Sequence, residues 1–345
     1  MNKASPAVSV IVPMYNARDM IEKCLAAVRD QEGIGPGEVE LIVVDDASTD
    51  GSADVAEGLC DKLIRMEKNS GAAAARNRGA GQAAADVLVF VDADVYPSPR
   101  ALAGFMKIFK EDPEVSAVVG RYSEMPAAPG LINLYHNLFT NFHHDLSPDE
   151  IDWFWGALAA VRKDAFFKVR GFDERFEGAS AEDMWLGLAL ADAGCKIRFH
   201  PEIDGAHAHN FTLKSMLIND YKKAVLGTRL RIRGRLPRRA PGFARAGNIL
   251  PLPLLFGGIL LYAHTIFSAY DLLSIASLFL CFVFIILIYA FNIDYYKYLG
   301  DRLQNDFLRG MFMHWMQNSV MIMGAVAGLV GVLLGRSPFG RPGWI

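Results

Sequence analysis

The 345 residues leave room for one large α/β unit and something smaller beside it. A formal net charge of −3 excludes the global basic field that nucleic acid selects. Hydrophobic residues at 52% and a mean hydropathy of +0.19 exceed what a purely soluble enzyme needs, and the excess gathers after residue 248.

The front of the chain alternates strands and helices. Residues 8–12 form a short, nearly continuous apolar run, as expected of a parallel strand covered on both faces. Residues 17–29 have helical spacing, with Met20, Ile21, Cys24, Leu25 and Val28 along one side. A second strand at 41–44 ends in Asp45-Asp46, a helix follows at 51–60 and a short strand at 62–66. The alanine-rich stretch 71–85 predicts a helix, and 87–91 predicts a buried strand ending in Asp92-Ala93-Asp94. Such alternation predicts an open, mainly parallel sheet flanked by helices, in which ligands bind beyond the carboxyl ends of the strands. The polar clusters 13–16, 45–50 and 92–94 all fall at that end.

After a helix at 98–110 and a strand at 115–119 the pattern loosens from 121 to 152, a stretch rich in aromatics and histidines. His143 and His144 are adjacent on a predicted helix and cannot both face one metal, so an amphipathic surface near a membrane or acceptor is expected instead. A helix at 182–193 and a strand at 196–200 close the unit.

The rear opens with a basic stretch, 222–245, abutting apolar runs at 249–270 and 272–291, each near the ~20 residues a bilayer span needs. A third, shorter and glycine-rich run covers 319–335 and reads either as a span or as an interfacial helix. Arginines before the first run place that end in the cytosol, and Arg336 and Arg341 oppose an external terminus. Residues 1–6 carry no basic n-region leading into an apolar core, so no secretory signal is expected. Cys24, Cys60, Cys195 and Cys281 show no metal-type spacing and read as reduced thiols, which fits a reducing compartment.

Asp92-Ala93-Asp94 is the strongest local chemical feature. Two carboxylates one residue apart on a turn suit a hard divalent cation that bridges to phosphates and neutralises a departing diphosphate. Within Asp45-Asp46-Ala47-Ser48-Thr49-Asp50, capping explains the later residues, while Asp45 and Asp46 remain as acceptors for a base. The turn Asn69-Ser70-Gly71 leads into a helix whose N-terminus, with Arg76, attracts an anion. Trp153, Trp155, Gly156 and Ala157 combine aromatic faces with a small-residue floor, a pattern that suits a sugar.

Together the segments VSVIVPMYN (8–16), LIVVDDASTDGS (41–52), NSGAAAARN (69–77), VLVFVDAD (87–94) and GFDERFEGASAEDMWL (171–186) resemble the family 2 glycosyltransferases of GT-A fold. The resemblance implies a catalytic unit over 1–230, with a nucleotide-sugar half at 7–120 and an acceptor half at 121–220. A basic juxtamembrane segment at 221–248 and a membrane region at 249–345 with two or three hydrophobic helices would follow. It implies that Pro13, Tyr15 and Asp46 hold the base, with Arg76, Asp92 and Asp94 also on the donor side. Asp94 and His207 would bind Mg²⁺ or Mn²⁺, with His209 competing for the histidine role. Glu182, Trp153 and Gly156 would contact the acceptor and Asp183 would act as base. The implied reaction is inverting transfer from a nucleoside diphosphate sugar, a UDP-sugar by family habit, to a hydroxyl acceptor that the rear helices suggest is lipid-linked. The implied setting is the cytoplasmic side of the inner (plasma) membrane, in a multi-pass protein of envelope glycolipid or polysaccharide assembly. A polyprenyl-phosphate sugar transferase is one alternative, and a catalytically silent nucleotide-sugar-binding membrane scaffold is another.

Overall fold

The computed structural model describes residues 5–35, 37–176, 181–232 and 289–335, with isolated positions at 279, 283 and 286. Nine strands join one sheet among these residues. They are β1 (Val8–Met14), β2 (Val39–Asp45), β3 (Lys62–Arg65), β4 (Val87–Val91), β5 (Val95–Pro97), β6 (Val115–Tyr122), β7 (Glu150–Ile151), β8 (Leu158–Arg162) and β9 (Lys196–His207). The order is β3-β2-β1-β4-β8-β6-β9-β5, with β7 also paired to β9. Around it lie α1 (Arg18–Arg29), α2 (Ser52–Ala56), α3 (Ala72–Ala80), α4 (Ala101–Glu111), α5 (Leu131–Asp145), α6 (Lys163–Lys168), α7 (Glu182–Asp192) and α8 (Leu213–Ile232). Two further helices, α9 (Ile293–Leu303) and α10 (Phe307–Leu333), are separated by a 3-10 turn.

The apolar runs of β1, β2 and β4 are continuous because both faces are covered. Val8, Val10 and Val12 feed one core with Val43 and Val89, under Leu25 of α1 and Phe105 of α4. Ile11 points the other way and joins Ile42, Phe90 and the alanines of α3 in a second core.

The strands β3, β2, β1 and β4 pair in parallel, as the alternation predicts. β6 and β9 add a further parallel pair. β8 pairs antiparallel with both β4 and β6, and β5 and β7 pair antiparallel with β9, so the sheet is mixed. β8 (Leu158–Arg162) is short and alanine-rich, a composition that does not announce a central strand.

The strand expected at 196–200 continues to His207, across Pro201. A register shift makes this possible: Val119 pairs with Phe199 but Arg121 pairs with Asp204. The looped-out residues hold the proline, which has no N–H to give a ladder. Beyond the bulge, His207 pairs with Val95, which sets it one residue from Asp94.

The amphipathic surface expected within 121–152 is a correction. Tyr135, His136, Asn137, Leu138, Asn141, His143 and His144 of α5 are buried. One side packs on β6, and Tyr135 and Leu138 join Met216 of α8, Tyr295 of α9 and Met313 of α10 in a third core. His143 and His144 face apart: His143 lies on Phe139 and Tyr295, His144 on Trp153 and Trp155.

The apolar runs at 249–270 and 272–291 lie almost wholly outside the described residues. Among the described residues, one helical segment, Ile293–Leu333, is long and apolar enough to cross a membrane, with a mean hydropathy of 1.6 over its most apolar window.

Candidate functional site

The carboxyl end of the parallel strands collects the predicted donor residues. The loop after β1 is tied to the loop after β2: the Asn16 N–H donates to Ser48 Oγ at 2.9 Å and the Thr49 N–H to Asn16 Oδ1 at 2.9 Å. Pro13 is half-buried beside it, and Tyr15 is 51% exposed. Asp46 is buried and accepts from the Ser70 and Gly71 N–H groups, both at 2.7 Å. It thereby anchors the turn that starts α3, a role that base binding would share rather than monopolise.

Arg76, on α3, is the centre of the site. Its guanidinium is buried, with Nη2 donating to Asp92 at 2.7 Å and Nη1 to Glu182 at 3.0 Å. It lies over the Phe172 ring, 5.2 Å from the centroid. Burial opposes its charge, and Asp92 and Glu182 more than offset that, raising the guanidinium above its ordinary value. One cation thus joins the carboxylate at the end of β4 to the acidic pair at the start of α7.

Gly156 makes this possible. A Cβ there would stand 3.0 Å from the Arg76 Cζ and press the guanidinium aside by a few tenths of an ångström, so the bare backbone lets it lie close. Its N–H also faces Asp183 Oδ2 at 3.4 Å, while the Met184 N–H donates to Asp183 Oδ1 at 2.7 Å. Helix α7 presses against residues 153 and 154, where a Cβ on Gly187 would meet the Phe154 nitrogen at 2.3 Å. That contact sets Glu182 and Asp183 at the site's edge.

The carboxylates differ by environment. Burial, then the adjacent Glu182, push the Asp183 carboxyl up to about 7 against the pull of Arg76. Burial also lifts Asp92 above its usual range despite Arg76. Asp94 goes the other way: burial would raise it, but the imidazoles of His207 and His209 hold it well below the usual carboxylate range.

His207 Nε2 lies 3.7 Å and His209 Nδ1 3.6 Å from Asp94 Oδ2, so both histidines reach the carboxylate. Among the described residues, no group of three or more His, Cys, Asp or Glu is arranged to hold a metal. One carboxylate with one or two imidazoles is nonetheless a fitting corner for Mg²⁺ or Mn²⁺, whose remaining positions are filled by water and substrate phosphates.

Trp153 is a correction. Its indole is 1% exposed in the second core, between His144 and Phe199, and offers no face to an acceptor. Trp155 is the half-buried one, its ring 4.4 Å from that of Tyr122, which in turn stacks on His207 at 4.1 Å. Tyr122 carried no sequence signal, being one aromatic among many. The tie between Arg76 and Glu182, which are 106 positions apart, had none either.

Residues 9–169 match the sequence profile described as Glycosyl transferase family 2. Validoxylamine A glucosyltransferase from Streptomyces hygroscopicus subsp. limoneus is 27% identical over 251 residues, which is 62% of this chain and 55% of that protein. Glycosyltransferase AglE from Haloferax volcanii is 28% identical over 212 residues, 60% of this chain and 68% of that protein. The chain thus spans little more than half the length of the first of these relatives. Among solved structures, the mannosyltransferase PcManGT from Pyrobaculum calidifontis, in complex with GDP-Man and Mn²⁺, shares the fold with a TM-score of 0.58 at 21% identity. That likeness covers 97% of this chain and 89% of the other. Over residues 9–169, then, the chain is similar to glycosyl transferase family 2.

Proposed function

We propose that the chain transfers a sugar from a nucleoside diphosphate donor to an acceptor hydroxyl, with inversion at the anomeric carbon. The observation that carries this reading is the buried Arg76 guanidinium gripping Asp92 on one side and Glu182 on the other. That grip supports a reading in which the carboxylates after β4 and the Asp183 carboxyl next to Glu182 work together.

In this reading Pro13, Tyr15 and the loop anchored by Asp46 receive the base, and Asp92 with Arg76 orients the ribose and diphosphate. Asp94 with His207 or His209 would hold Mg²⁺ or Mn²⁺, which when bound supplies positive charge to the leaving diphosphate. Asp183 takes the proton from the acceptor hydroxyl as its oxygen bonds to the anomeric carbon. The bond from that carbon to the diphosphate oxygen breaks, and its electron pair leaves with the nucleoside diphosphate. A carboxyl at about 7 is a competent base near neutral pH and is not locked in the ionised form.

The apolar rear and the basic stretch before it support a lipid-linked acceptor, with the catalytic unit on the cytoplasmic side of the plasma membrane and a role in envelope glycoconjugate assembly. A UDP-sugar is the first donor to try, and GDP-mannose the second, since a structure of like fold holds it.

The test is a nucleotide-sugar panel with the full chain in detergent, reading released nucleoside diphosphate with Mn²⁺, Mg²⁺ or EDTA, with and without lipid extract. Metal-dependent release from one donor, raised by lipid, supports the reading. Donor binding without release under any condition overturns it in favour of a silent scaffold.

A further inference from the structure

We propose that α10 does not cross the bilayer but lies in the plane of the membrane surface, fastened to α8, with its outward face in the lipid. This inference does not depend on the transferase reading.

The first observation is the pairing of α10 with α8. A Cβ on Gly324 would stand 2.6 Å from the Tyr221 carbonyl oxygen, and one on Gly328 the same distance from that of Val225. Gly331 meets the Arg229 side chain in the same way, and the Gln317 amide donates to Asp220 at 2.9 Å. Residues 220–229 therefore run alongside residues 317–331, backbone close to backbone. That run of α8 carries Asp220, Lys222, Lys223 and Arg229, and the two lysines are exposed. If α10 crossed the hydrocarbon, these charged groups would cross with it, and bilayer interiors exclude such groups.

The second observation is length. Arg309, His314, Gln317, Asn318 and Ser319 make the first half of α10 polar, and the uninterrupted apolar run begins at Val320. From there to Leu333 the helix rises roughly 21 Å at about 1.5 Å per residue, so crossing the ~30 Å hydrocarbon core would carry His314, Gln317 and Asn318 into it as well.

The third is periodicity. Leu308, Phe312, Trp315, Met323, Val326 and Val330 are exposed at helical spacing, one apolar stripe running the length of α10. Gly310, Met313, Gln317, Gly324, Gly328 and Gly331 form the opposite, buried line. A stripe along one side of a helix, beside a basic partner helix, fits a headgroup–acyl boundary carrying anionic lipid.

The start of the segment is also pinned. Arg302 of α9 donates to Glu124 at 2.8 Å, and Tyr295 packs on Phe139 of α5, so α9 stands on the same side as the catalytic unit.

The experiment introduces Asn305→Cys and Ser337→Cys, one at a time, in the full chain. Each is treated with a membrane-impermeant maleimide polymer in inside-out vesicles and in intact spheroplasts, and counted as one mass shift beyond the parent. Both variants should gain the shift in inside-out vesicles and neither in spheroplasts. Gain of the Ser337→Cys shift in spheroplasts would mean that α10 crosses, and the proposal fails. In a second arm, nitroxides at Phe312→Cys, Met323→Cys and Val330→Cys should report the same shallow depth by collision with oxygen against an aqueous nickel chelate. A depth that climbs steadily along the helix overturns the proposal, as does access to the chelate or spectra immobilised away from both reagents.

Discussion

Asp46 and Asp183 are carboxylates in the two halves of one site, and their surroundings divide their labour. Asp46, at the end of β2, accepts two backbone N–H groups at 2.7 Å each, so its charge is spent on holding a turn. Asp183, at the start of α7, has one such donor at 2.7 Å, a second contact at 3.4 Å, and a like charge beside it in Glu182. Asp46 is thus a satisfied acid that shapes backbone, and Asp183 a crowded acid that remains chemically available. A backbone donor stabilises the charged carboxylate and a neighbouring carboxylate opposes it, so the same side chain suits a strut at Asp46 and, in the proposed function, a base at Asp183.

The sharpest break of this comparison is Asp183→Asn. It keeps the shape of the side chain and removes the proton acceptor, so transfer should fall by roughly 10²–10⁴-fold, with donor affinity nearly unchanged. Turnover and donor binding measured on one preparation check this. Turnover that survives would move the base elsewhere in the acceptor half.

Arg76→Met comes next and acts on stability as well as turnover. It leaves Glu182 buried without its cation, and Asp92 with only its 31% side-chain exposure to water as compensation. Breaking a buried pair costs about 3–5 kcal/mol, and the partial exposure of Asp92 favours the lower end. For a unit of this size that corresponds to a fall in Tm of roughly 6–12 °C, read by thermal unfolding. The same change at Arg65, whose partners Asp54 and Glu57 are exposed, should be nearly silent.

How much of this was open to reading from the chain alone follows the same division. The parallel half has continuous apolar strands punctuated by acids, and both signals are local, so its strands and the positions of Asp46, Asp92 and Asp94 could be placed by periodicity. The acceptor half is assembled from distant pieces. β8 is five alanine-rich residues inserted between β4 and β6, and β9 carries a proline in a bulge. Nothing local to Arg76 says that it will reach Glu182, because the contact is made by α7 packing on residues 153 and 154. Burial of α5 escaped for a related reason: its polar residues look like a surface, yet Asn133, Asn137 and Asn141 donate to backbone or side-chain partners inside the protein. Polar side chains that satisfy specific internal partners carry the composition of a surface and the location of a core.

The pH profile sharpens the comparison on a smaller scale. A base must be ionised to accept a proton, and the Asp183 carboxyl sits at about 7. Activity should therefore fall as pH drops through that value, by about tenfold for each further unit. An acid limb near the ordinary carboxylate value would mean that donor or metal binding has cancelled the effect of burial. Comparing kcat with kcat/KM separates the two cases, since the first reports the bound complex and the second the free protein.

The smallest expected effect comes from the two tryptophans. Trp153 is buried in the second core, and among the described residues its indole N–H has no hydrogen-bond partner. Trp153→Phe removes that unsatisfied donor along with part of the ring, so a small void is set against a relieved polar group. The net cost should stay within about 1 kcal/mol, with turnover within about twofold of the parent. Trp155 is half-buried, packed edge to face with Tyr122, and is the more accessible of the two. Trp155→Ala should raise the acceptor KM several-fold while leaving donor KM alone. If the substitution at Trp153 disturbed the acceptor KM instead, the acceptor would have to reach through the core packing of His144 and Phe199. The division between a structural and a binding tryptophan would then be reversed.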